Sequence, residues 1–97
     1  MTPENPQHPL PDLFSAAEWH KLARRLNLSP RQLQVARLIC LGLSNAAIAK
    51  ASGLAKPTVE MHIRILFKKL AVTSRLGVPV KLVLTSRASR RKKASTG

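Results

Sequence analysis

The stretch from residue 44 to residue 70, SNAAIAKASGLAKPTVEMHIRILFKKL, constrains this chain more than any other. Ser44 is an N-cap residue for a short helix over 45–51, and Gly53 supplies a turn. Apolar positions then recur at helical spacing from about Lys56 to Leu70. Val59, Ile63, Leu66 and Leu70 fall at i, i+4, i+7 and i+11 and form one stripe that must be buried. Glu60, Met61, Arg64 and Lys68 project from the other side, with Pro57 at its N-terminal end. Two helices joined by a tight turn, the second oily behind and cationic in front, are the grammar of a helix-turn-helix whose second helix reads DNA. An ordinary amphipathic surface helix carries the same pattern, so the remainder of the chain has to decide between the two.

Charge does most to decide it. Seventeen Lys and Arg stand against four acids, Glu4, Asp12, Glu18 and Glu60, for a net charge of +13. No acid follows position 60, whereas Arg64, Lys68, Lys69, Arg75, Lys81, Arg87, Arg90, Arg91, Lys92 and Lys93 all do. Charge this one-sided predicts a polyanionic partner. No apolar run approaches the ~20 residues that span a bilayer, so nucleic acid is preferred to membrane. The only aromatic residues are Phe14, Trp19 and Phe67. Small aliphatic side chains must therefore build the core, which favours short, closely packed helices, and surface aromatic pairs for stacking single-stranded bases are missing. Cys40 is alone, which excludes an internal disulfide and suits a reducing, cytoplasmic location. Within its apolar run it reads as a small buried hydrophobe. No glycine-rich phosphate loop, metal-spaced His/Cys cluster or catalytic constellation is present, so no cofactor, metal or enzymatic activity is expected.

A chain of 97 residues is one domain, here all-α, and it divides along its length. Residues 1–12 carry four prolines and are expected to be flexible, with His8 exposed. Residues 13–27 hold an accessory helix, opened by the capping box Ser15–Glu18. Its stripe, Trp19, Leu22, Ala23 and Leu26, docks the helix on the core; a partner surface is the functional alternative. The main domain covers 28–86. Ser29, Pro30 and Gln32 start its first helix, Gly42 ends it, and Val35, Leu38 and Ile39 share one side of it. Ala55 is a poor N-cap for the helix that follows the turn, and Thr58 is positioned to compensate from its first turn. A last helix lies within 75–86, with Val80, Val83 and Leu84 as its apolar side. Gly77 and Pro79 mean that it either begins near Val78 or is kinked. Residues 87–97, RASRRKKASTG, read as a disordered basic tail able to add salt-sensitive affinity along a DNA backbone.

From Leu28 to about Leu84 the chain resembles the LuxR-type, or GerE-like, DNA-binding domain. The family's opening L-[ST]-x-R-E-x-E-V-L appears as LSPRQLQVA over 28–36, and its G-x-S-N-K-E-I-A as GLSNAAIA over 42–49. Its T-V-K-x-H-x-x-x-I-x-x-K-L-x-V-x-x-R appears as TVEMHIRILFKKLAVTSR over 58–75. The resemblance covers over half the chain, in register and without gaps. It implies a compact four-helix domain, here with one helix added in front, whose third helix enters the major groove and whose fourth pairs with a second copy. The 27 residues before Leu28 are too few for a receiver or a ligand-binding sensor, which points to a stand-alone regulator governed by abundance or by a partner.

On these grounds Arg64, Met61 and Glu60 are the candidate base contacts. Arginine forks onto guanine, and a carboxylate accepts from cytosine N4. Glu60 stands where the family usually has a cation, and Ile65 replaces a position that is often polar and can pack on a thymine methyl. Ser44, Asn45, Lys56, Thr58, Lys68, Lys69 and Arg75 are the candidate backbone contacts. Val80, Val83 and Leu84 are the candidate dimer contacts that the resemblance implies. His62 matches the family's histidine at the core's edge and reads as structural. The expected function is sequence-specific binding of double-stranded DNA by a transcriptional regulator, as a homodimer on a two-fold site. The alternative is an interaction protein that pairs with other LuxR-type regulators through 13–26 or 75–86 and has little specific DNA binding of its own.

Overall fold

The structure is a computed structural model that describes the backbone of residues 11–96 and the side chains of residues 11–88. The flexible start expected for the chain, with His8, lies largely outside the described residues. Five helices and no strands are present among the described residues: α1 (Ala16–Arg25), α2 (Pro30–Cys40), α3 (Asn45–Ser52), α4 (Lys56–Leu70) and α5 (Gly77–Thr96).

Local chemistry sets most of the helix boundaries. Ser15 and Glu18 close a capping box at the start of α1, and Ser29 and Gln32 close another at α2, where Pro30 takes the first helical position. Each box satisfies two backbone N–H groups that the first turn would otherwise leave orphaned. Ser44 caps α3 by accepting from the Ala47 N–H at 3.2 Å. Gly53 ends α3 at φ +71°, a conformation an L side chain adopts only under strain. At α4 the cap is Ala55 and no side chain caps the helix, so Thr58 does not supply the compensation expected of it.

The core is one cluster shared by all five helices. The stripe read on α4, Val59, Ile63, Leu66 and Leu70, is buried in full and packs on α2 and α3. On α2 the buried face is Gln32, Val35, Ala36, Ile39 and Cys40. Leu38 is half-buried at the edge of that face, packed against the core and lining a groove with Leu33 and Leu41. Trp19, Leu22 and Ala23 seat α1 against α2 and α5. Trp19 is 1% exposed, and its ring meets Phe14 edge-on at 5.0 Å. Its indole N–H donates to Asp12 Oδ1 at 2.7 Å, and Arg37 of α2 pairs with Asp12 Oδ2 at 2.8 Å. Residue 12, read as the end of a flexible segment, is therefore fastened at two points.

Helix α5 departs most from expectation. It buries Val78 and Leu82, whereas Val80 and Leu84 are exposed and Val83 is half-buried. The apolar side read from sequence is thus not the side that meets the core. The cause lies at the helix start. Pro79 sits in the first turn, where its missing N–H costs nothing. An added Cβ at Gly77 would stand 2.9 Å from the Val72 Cβ, so only glycine lets α5 approach the connector this closely. The helix begins at Gly77, close to the start expected near Val78, and its backbone continues through Thr96, past the expected end at residue 86. Ala, Lys and Arg are among the strongest helix formers, which is the physical reason it can continue.

Candidate nucleic-acid interface

With its stripe buried, α4 turns the opposite face to solvent. Glu60, Arg64 and Lys68 form one column at i, i+4 and i+8 and are all exposed. Met61 and Ile65 form a second column beside it, 45% and 37% exposed. Among the described residues no hydrogen bond or ion pair engages Glu60, Arg64 or Lys68, even though Glu60 and Arg64 are spaced for an i, i+4 pair. The two candidate columns are thus brought together on one surface with their polar groups unspent. That surface can hydrogen-bond donors and acceptors on base edges and can pack on a pyrimidine methyl.

The candidate backbone contacts divide. Lys56 is exposed at the α4 N-terminus, and Thr58 is half-buried beside it. Among the described residues Lys68 is exposed and unengaged on the α4 face, and the other four, Ser44, Asn45, Lys69 and Arg75, are partly or wholly committed within the protein. Ser44 accepts the Ala47 N–H as the α3 cap, which leaves its own O–H to donate. Arg75 donates from Nη1 to Asn45 Oδ1 at 2.6 Å, and from Nη2 to the Leu43 carbonyl. Burial lowers the Arg75 pKa from its ordinary value. Asn45 keeps its amide N–H groups for an outside acceptor. Lys69 Nζ donates to the Asn27 carbonyl at 2.6 Å and to Gln32 Oε1 at 2.8 Å. Gln32 Oε1 is also the acceptor of its capping box, so a single amide oxygen joins α2 to the end of α4. Arg75 and Lys69, both expected as phosphate contacts, thus each make two hydrogen bonds within the protein. Sequence position alone gave no signal of that use, because the acceptors are backbone carbonyls and amides distant along the chain.

His62 is half-buried, and its Nδ1 lacks a hydrogen-bond partner among the described residues. No cluster of His, Cys, Asp or Glu among the described residues has the arrangement of a metal site. Cys40 is buried, and burial together with the nearby Asp12 charge pushes its thiol up to about 12. No described helix is long and apolar enough to cross a membrane.

A short capped helix, a glycine turn and a longer helix with a free polar face define a DNA-binding helix-turn-helix domain. Residues 26–82 match the family of bacterial regulatory proteins known as the luxR family, or GerE, and the chain belongs to that family. It is 43% identical over 54 residues to a nitrate/nitrite response regulator protein homolog of Haemophilus influenzae, a match covering 56% of this chain and 26% of that protein. It is 40% identical over 53 residues to the nitrate/nitrite response regulator protein NarP of Escherichia coli, covering 55% and 25% of the two. The chain thus spans about a quarter of the length of these curated relatives. No solved structure gives a significant match.

Proposed function

We propose that this protein is a cytoplasmic transcriptional regulator that binds duplex DNA sequence-specifically, with α4 in the major groove. The observation that carries the reading is the α4 face itself, on which charged and apolar columns lie side by side with no internal partner for Glu60, Arg64 or Lys68 among the described residues. Arg64 reads guanine, Glu60 accepts from cytosine N4, and Met61 with Ile65 packs on thymine methyls. Lys56, Thr58, Lys68 and the free donors of Ser44 and Asn45 hold phosphates. Ala55 leaves the first turn of α4 without a side-chain cap, so its N–H groups are available to the same anions.

The dimer contact is assigned to α5. Val80 and Leu84, 50% and 56% exposed at i and i+4, face away from the core, and Leu76 in the turn just before the helix is 76% exposed. Pairing of two copies there gives a two-fold complex on half-sites about one helical turn apart. The same residues support a second reading, in which the partner is another LuxR-type regulator and the pairing antagonises it.

Selection of bound duplexes from a random pool, followed by titration against scrambled competitor, tests the proposal. A two-fold consensus containing G·C pairs is expected. Binding that is equal on selected and scrambled duplex would leave only the antagonist reading, which co-purification with a LuxR-type regulator would then support.

A further inference from the structure

Helix α1 lies outside the residues that match the family, yet its apolar stripe is part of the core. Trp19, Leu22 and Ala23 are buried, which fixes the rotation of the helix about its axis. His20, Lys21, Arg24 and Arg25 are therefore held on its outer face, all four exposed. They stand as two i, i+4 columns, His20 with Arg24 and Lys21 with Arg25. The helix dipole favours cations in a last turn and so accounts for Arg24 and Arg25, but not for Lys21 in mid-helix. Among the described residues, Asp12 is paired with Arg37, Glu18 closes the capping box, and Glu60 lies on α4. A face on which exposed cations outnumber acids is stabilised by an outside polyanion.

The location of this face names the polyanion. The Asn27 carbonyl, just beyond the α1 C-terminus, accepts from Lys69 Nζ at 2.6 Å in the last turn of α4. Asn27 adopts φ +56°, and Leu28 N–H returns to the Ala23 carbonyl at 2.8 Å, so the junction is a closed turn and not a loose linker. The turn that follows Arg24 and Arg25 is thereby tied to the last turn of α4, on the flank that carries Thr58, His62, Ile65 and Lys69, while α1 itself packs on α2 and α5. A helix lying in the major groove has phosphate backbone along its flanks.

We infer that the cationic face of α1 is a second DNA-backbone contact, gripping phosphates beyond the base pairs read by α4 and lengthening the footprint past that of the family domain. This rests on the proposed DNA-binding function, and the test separates the two. The full chain and the variant Lys21→Gln/Arg24→Gln/Arg25→Gln are titrated on a selected duplex trimmed flush with its consensus, and on the same consensus extended on both sides by about one helical turn. On the extended duplex the variant should bind roughly tenfold more weakly and show a salt slope flatter by about two to three. On the trimmed duplex it should match the full chain. Arg24→Lys/Arg25→Lys, which keeps the charge, should restore binding to the extended duplex. An equal loss on both duplexes, or a loss on neither, overturns the inference while leaving the α4 reading intact. A wild-type chain that retards no duplex at low salt removes both.

Discussion

The outward face of α4 and the ties that join α4 to α2 and the connector before α5 to α3 are built from the same residue types and used in opposite ways. Arg64 and Lys68 have no acceptor among the described residues, whereas Arg75 and Lys69 each have two. One pair is left open to an outside acceptor, and the other holds neighbouring segments of the fold in place. In a chain this basic, a cation's presence says little about its role; what matters is whether a carbonyl or amide oxygen lies within reach.

The contrast can be broken most directly at Arg75. Arg75→Ala removes two charge-assisted hydrogen bonds and leaves the Leu43 carbonyl and Asn45 without their donor. It should cost about 1.5–3 kcal/mol of folding stability, measured by chemical denaturation. Full stability in that variant would return Arg75 to the phosphate contacts. Arg64→Ala should do the reverse. Stability stays within about 0.5 kcal/mol of wild type. Affinity for the selected duplex falls by ~1–3 kcal/mol, with a relaxed preference at one base pair. Equal weakening on scrambled duplex would demote Arg64 to a backbone contact.

Smaller effects sharpen the same division. Burial pushes the Asp12 carboxyl up, but the bonds from Trp19, Arg37 and the Phe14 backbone outweigh it and leave the pKa below its ordinary 3.8. A depressed carboxylate stabilises the fold above its unfolded value and loses that contribution as pH falls through the folded one. Thermal melting should therefore drop more steeply below pH 3.8 in wild type than in Asp12→Asn, by a margin of a surface pair and not of a buried one. Smallest of all is Cys40, whose thiol, held up to about 12, should resist alkylation at neutral pH until the protein is unfolded. Rapid labelling of the native chain would show that the core opens around α2.

Much of this was legible from residues alone. Capping boxes at Ser15 and Ser29, the glycine turn and the α4 stripe are local signals, and each element begins or turns where they place it. The face of α5 was not legible. Two apolar faces compete there, and the choice of Val78 with Leu82 depends on how closely Gly77 packs on Val72, which no periodicity reveals. Among site residues, the α4 columns follow from helical spacing. The internal use of Lys69 and Arg75 does not, since it depends on oxygens 42 and 37 residues away, and 30 and 32 residues away, along the chain.

The clasp around Trp19 gives the molecule its own optical reporter. This indole is the sole tryptophan of the chain, sealed from water, bonded to a carboxylate and overlain by the Arg37 guanidinium at 5.6 Å. Its emission should be blue-shifted while α1 is docked and move red if α1 peels away. Because α4 carries neither tryptophan nor tyrosine, that colour tracks the added helix alone, and following it while DNA is titrated would reveal whether α1 stays seated when the groove is filled.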